Sequence, residues 1–190
     1  MVLASQLRPG MAIRHEGQSY KVLSCDYHPG QGKMGGVAHV RIRNLATGTF
    51  RDQSFRAELK LDVLPVEKHS LEFLYSDTDQ CYFMNPETYE QIGIDTALIG
   101  AVSKFLKPQM QLPVEFVEGR PVSVVFPDII EAKVADTAPP AHGQQDNTWK
   151  TARLDNGVEI HVPQFIKVGD MVRLDVATLR YVDRAKAAAR

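Results

Sequence analysis

Apolar residues recur at every second position through much of this chain, the spacing of half-buried β-strands. Between residues 37 and 43, Ala38, Val40 and Ile42 alternate with Val37, His39, Arg41 and Arg43. One face of that strand is apolar and the other carries cations. The same reading predicts strands over residues 11–13, 20–27, 37–45 and 49–55. It predicts a second group over 71–75, 80–84, 112–117 and 121–126, and a third over 150–154, 158–162, 171–175 and 180–183. Only residues 96–106 have a helical look. Turn residues such as Pro9-Gly10, Gly17 and Thr47-Gly48 separate the strands. Short strands at even spacing argue for small barrels.

Boundaries fall near Leu64-Pro65 and Pro127-Asp128. They divide the chain into modules at 1–63, 64–127 and 128–190. A length of 190 residues suits two or three such modules. Residues 137–148 form a polar, proline-bearing loop, and residues 186–190 read as a frayed tail.

Charge changes this picture more than composition does. The net charge is −1, but the first 62 residues carry nine cations against five anions. Residues 63–127 carry four cations against nine anions. A basic first module next to an acidic second one fits separate faces for different partners, with phosphate the natural partner of the first. Cys25 and Cys81 lack metal-ligand or CxxC spacing and read as small residues of a reduced compartment. Few apolar residues precede Arg8 and no apolar run is long enough to span a membrane, so a cytoplasmic protein without a membrane partner is expected.

The segment His28-Pro29-Gly30-Gln31-Gly32-Lys33-Met34-Gly35-Gly36 joins two predicted strands. Four of its nine residues are glycine. It has little with which to bury itself, so it projects, carrying one long cation. That suits insertion into a narrow polar site or modification by another enzyme. Ordinary hairpin preferences also produce Gly-rich loops.

Other chemistry is weaker. Asp77, Asp79 and Glu87 could form the site of a metal-dependent hydrolase, although such spacing is also turn chemistry. Cys25, His28 and His39 could gather around a metal, but side chains alternating along twisted strands oppose it. No nucleophile triad, phosphate-binding Walker loop or dinucleotide fingerprint is present. No cofactor and no metal are expected. Tyr82, Phe83, Tyr89, Phe165 and Tyr181 could stack on bases, and alternation assigns Phe83 and Phe165 to the core.

Three stretches, in order, resemble bacterial elongation factor P. The first is the lysine-bearing loop followed by Val40-Arg41-Ile42-Arg43-Asn44-Leu45-Ala46-Thr47-Gly48. The second runs from Phe73-Leu74-Tyr75-Ser76-Asp77 through Asn85-Pro86-Glu87-Thr88-Tyr89. The third contains Val162-Pro163-Gln164-Phe165, then Arg173-Leu174-Asp175 and Tyr181-Val182-Asp183-Arg184. The resemblance implies an all-β fold of three small barrels, an SH3-like (KOW-type) module followed by two OB folds. It implies a monomeric, non-enzymatic factor that binds the 70S ribosome beside the peptidyl-tRNA and relieves stalling at consecutive prolines. The related factor 5A family uses a lysine at the same loop tip. The partners implied are rRNA, peptidyl-tRNA and a lysine-modifying enzyme. A KOW/OB-type RNA-binding protein acting away from the ribosome is the alternative.

The implied tip residue is Lys33, counted back from the strand at Val40, with two extra residues before it. Counting forward from Pro29-Gly30 puts Gln31 at the tip instead. Gly30, Gln31, Gly32, Met34, Gly35, Arg41, Arg43, Tyr181 and Arg184 are the candidate contacts to tRNA and rRNA. Thr78 stands where a turn glycine is common in the family, and Leu179-Arg180 where Gly-Glu is common.

Overall fold

The computed structural model describes residues 1–30, 35–139 and 149–185. Gln31, Gly32, Lys33 and Met34 lie outside the described residues, as do most of the predicted 137–148 loop and the tail at 186–190. The chain is all-β apart from short helical turns, in three consecutive antiparallel sheets.

The first sheet contains β1 (Val2–Leu3), β2 (Ala12–His15), β3 (Gln18–His28), β4 (Val37–Asn44), β5 (Phe50–Arg56) and β6 (Lys60–Leu64) in the order β1-β6-β2-β3-β4-β5. Its core is the inward set of the alternating strands, Val22, Ala38, Val40, Ile42 and Phe55, with Ile13 and Tyr20. Asn44 is buried but satisfied: its amide donates to Gln18 Oε1 at 2.8 Å, and its carbonyl oxygen accepts from the backbone of Ala46 and Thr47.

The second sheet holds β7 (Glu67–Ser76), β8 (Gln80–Met84), β9 (Gln91–Asp95), β10 (Gln111–Val117) and β11 (Arg120–Val124). The third holds β12 (Ile129–Thr137), β13 (Trp149–Leu154), β14 (Glu159–Pro163), β15 (Met171–Asp175) and β16 (Arg180–Arg184). Their spatial orders, β11-β10-β7-β8-β9 and β14-β13-β12-β15-β16, are the same topology. In each, the fourth strand returns to pair with the first, as in a Greek-key barrel. In each, register shifts fall between the first two strands and between the last two. Such bulges bend a sheet toward closure. In the third sheet the edge strands β14 and β16 come close together.

The structure adds strands β1, β6, β9 and β12 to those predicted. The helical stretch is only one α-turn, α1 (Thr96–Ile99), continuing as a 3-10 turn over Gly100–Phe105. Gly100, at φ 80°, interrupts it. Phe83 is fully buried, but Phe165 is 55% exposed, contrary to its assignment to the core. Strand β14 ends at Pro163, so the alternation that would have turned Phe165 inward has already stopped.

The sheets are joined by side chains as well as by linkers. Ala12 and Leu64 from the first pack with Val117 and Val122 from the second. Phe105, from the connection preceding β10, is buried in the core cluster of the third sheet. Beside it, the Asn156 amide donates to the Lys104 carbonyl at 3.1 Å.

Candidate functional site

Strands β3 and β4 form the stem of the lysine-bearing loop, with their last register pair at His28↔Val37. The stem is tightly made. An added Cβ on Gly36 would lie 2.7 Å from the Tyr27 hydroxyl and 3.0 Å from the His28 carbonyl. Glycine there lets the Tyr27 ring cross to the opposite strand. The Gly36 carbonyl accepts from Ala57 N–H at 2.8 Å, extending the β4–β5 pairing past Val37↔Arg56 toward the loop. Gly30 and Gly35, at the loop's two described ends, are both exposed.

The outer face of the stem is polar. Asp26, His39 and Ser54 are aligned across β3, β4 and β5. His39 Nδ1 lies 2.9 Å from Ser54 Oγ, and the His28 ring stands edge-on to His39 at 5.2 Å. Cys25 instead packs against the core, and burial raises its thiol pKa. Arg41 and Arg43 share the outer face but not the same surroundings. Arg41 is exposed, with its guanidinium 5.8 Å from the centre of the Phe50 ring. Arg43 is half-buried and donates to the Leu98 carbonyl at 3.3 Å. Its burial lowers the guanidinium pKa from the ordinary value.

Charged residues that the sequence left unpartnered fix the stem strand β3 and its neighbour β2 to the second sheet. Glu115, with 8% of its side chain exposed, pairs with Lys21 of β3 and lies 3.4 Å from Lys68. Arg14 pairs with Glu118, which also accepts from Ser19 Oγ at 3.2 Å. The Arg14 hydrogen bond is the main cause holding the Glu118 carboxyl below its usual range. The partners joined between the first and second sheets lie 94 to 104 residues apart. No periodicity could have paired them.

At the other end of the chain, Arg184 is exposed and Tyr181 is half-buried against the third core. Burial is the first cause raising the Tyr181 phenol pKa. Its ring meets the exposed Trp149 edge-on at 6.1 Å. Trp149 was not among the residues picked from the sequence.

The Asp77 carboxylate organises a turn. It accepts from the backbone N–H of Gln80 at 2.8 Å and of Asp79 at 2.9 Å, and from the Tyr82 hydroxyl at 3.0 Å. These bonds, the Gln80 amide first, hold its pKa below the ordinary aspartate value. A depressed folded-state pKa means the stabilisation is complete above the ordinary carboxylate range. It is lost as pH falls through the folded value. Carboxyl NMR should therefore find Asp77 titrating below the usual aspartate range. Asp77→Ala should speed amide exchange at Asp79 and Gln80. Titration at or above the usual range would remove the turn as the carboxylate's role. The Glu87 backbone N–H is likewise bonded to Asn85 Oδ1 in its own turn at 2.9 Å.

Three family models match in chain order. Residues 3–61 match the elongation factor P KOW-like domain, 66–124 the elongation factor P OB domain, and 130–184 the elongation factor P C-terminal model. A protein named elongation factor P from Synechococcus sp. (strain JA-3-3Ab) is 35% identical over 185 residues, covering 97% of this chain and 100% of that protein. One of the same name from Gemmatimonas aurantiaca is 33% identical over 184 residues, covering 96% of this chain and 97% of its own. Among solved structures, translation initiation factor 5A from Methanococcus jannaschii aligns with a TM-score of 0.48 and 16% identity, over 65% of this chain and 92% of that one.

Proposed function

The chain belongs to the elongation factor P family of translation factors, and we propose that it binds the 70S ribosome beside the peptidyl-tRNA and promotes peptide-bond formation at consecutive prolines. The observation that carries the reading is the full-length match in chain order, in a molecule whose lysine-bearing loop leaves a tightly paired stem. The three modules, 1–63, 64–127 and 128–190, divide the work. The first reaches the acceptor end of the tRNA through Lys33, flanked by Gly30, Gln31, Gly32, Met34 and Gly35. The third holds on through Tyr181 and Arg184. The factor is a cytoplasmic monomer, and a lysine-modifying enzyme acts on the tip.

No chemical group of the factor has to react. Proline's ring fixes φ and restricts how the reacting groups approach. A polar arm that holds the tRNA end in a productive pose reduces the entropy cost of the step. The arm needs charge, reach and a base that does not yield. Lys33 has the first two. The Tyr27–Gly36 contact and the ion pairs of Lys21 and Arg14 give the stem its stiffness.

The test is co-sedimentation with 70S ribosomes over a salt series. Binding should weaken steeply with salt, and Arg41→Ala should flatten the slope by roughly one unit, the loss of one phosphate contact. Arg43→Ala should instead perturb the joint with the second sheet, because its guanidinium already holds the Leu98 carbonyl. A wild-type protein that binds free RNA but leaves ribosomes in the pellet without it would replace this reading with an off-ribosome RNA-binding one.

A further inference from the structure

Phe50 is 62% exposed on β5, the edge strand of the first sheet. It stands opposite Arg43 in the strand register. The Arg43 and Arg41 guanidiniums lie 5.9 Å and 5.8 Å from its ring centre. Two guanidiniums thus lie over an aromatic ring that stays 62% exposed, in the module with nine cations against five anions over its first 62 residues.

We infer that Phe50, with Arg41 and Arg43, is a stacking site for a single unpaired RNA base. The ring offers a π-face of a kind that bases stack on regardless of sequence. The guanidiniums polarise that ring and attract the phosphates on either side of the base. Arg43 is anchored to the Leu98 carbonyl, so one wall of the site is fixed in place. Asp52, opposite Arg41 in the register, and Asp26, opposite His39, are acidic residues on this face and favour a single nucleotide over a long backbone track. A base inside a continuous helix already gives both its faces to its neighbours, which leaves looped-out or terminal nucleotides as the ligand.

The stacked tyrosine pair of the second module does not fit RNA. Tyr75 and Tyr82 stack at 4.7 Å, but the Tyr82 hydroxyl is bonded to the Asp77 carboxylate, in the acidic second module. Positive charge and an open ring coincide at Phe50 instead.

This assignment rests on the ribosomal reading, and its test separates the two. Binding of a labelled short oligoriboadenylate is compared with binding of an abasic ribose-phosphate strand of the same length, using the full chain. Wild type should prefer the strand with bases. Phe50→Leu, which keeps apolar bulk but lacks a π-face, should lose roughly fivefold or more of that preference and keep its binding to the abasic strand. Phe50→Tyr should retain the preference, and thermal unfolding of both variants should match wild type. Equal binding of the two strands by wild type overturns the assignment. So does a preference unchanged in Phe50→Leu or lost in Phe50→Tyr. Ribosome co-sedimentation of wild type runs in parallel. Its failure with the base preference intact removes the ribosomal reading and leaves the stacking site standing.

Discussion

Lys33→Ala will leave the fold intact and remove the factor's effect on a reporter with consecutive prolines. A reporter without them will be unaffected. Among the described residues the stem pairing runs to His28↔Val37, and Lys33 follows it in the chain, so its loss leaves those rungs in place. On the proposed function, what it removes is the charge directed at the reacting end of the tRNA. Mis-positioning a reacting pair costs up to about 10²-fold in rate, so the loss should reach roughly tenfold at saturating factor. Purified translation with a titration of the mutant measures this. Because the anchoring module is untouched, more mutant should not restore activity. Recovery at high concentration would mean that Lys33 contributes affinity alone. Gln31→Ala should be the milder change, and the reverse ranking would transfer the tip to Gln31.

The largest effect on stability should come from Lys21→Met. Lys21 and Glu115 are 13% and 8% exposed, whereas Lys68, the other neighbour of Glu115, is 61% exposed. Removing Lys21 strands a buried carboxylate beside one exposed, solvent-screened ammonium. Breaking a buried pair from one side costs about 3 kcal/mol. In a protein of this size that lowers the melting temperature by roughly 10 °C. Adding Glu115→Leu should recover most of the loss, because the double change removes the charge together with its partner. Denaturant titrations of the singles and the double decide the point. A Lys21→Met variant within about 0.5 kcal/mol of wild type, the range of ordinary surface changes, would show that the pair is solvated.

Much of the fold was legible because side-chain alternation survives in single strands such as β4 and β13. Two of the strands overlooked, β9 and β12, carry a physical reason. Strand β9 has Gly93 at its centre, where an added Cβ would lie 2.3 Å from Gln80 Oε1. The glycine that the packing needs is the residue that weakens the strand signal. Strand β12 does alternate, with Ile130, Ala132 and Val134 inward, but a small alanine in the middle thins its apolar stripe. Leu179, in a turn position where glycine is common in the family, takes φ 52° and still packs against the third core. Its burial offsets a conformation that a branched side chain resists.

The site was legible in part. The exposed placement of His39 and Arg41 follows from period two. The different surroundings of Arg43 do not, because Leu98 reaches it from the helical turn α1, 55 residues on. Phe50 escaped notice for a similar reason. A lone phenylalanine at a strand's start reads as core, and only the register with Arg43 places it on the cationic face.

Phe105 bears on how this chain can be divided. Its ring belongs by sequence to the connection before β10 and by packing to the interior of the third sheet. A fragment that begins at residue 128 lacks part of its own filling, and the fragment left behind presents a phenylalanine to water. The last two modules are therefore not beads on a string that can be cut out and studied one at a time. They share a rivet, and motion at the far end is carried to the second module by a packed ring as well as by a linker.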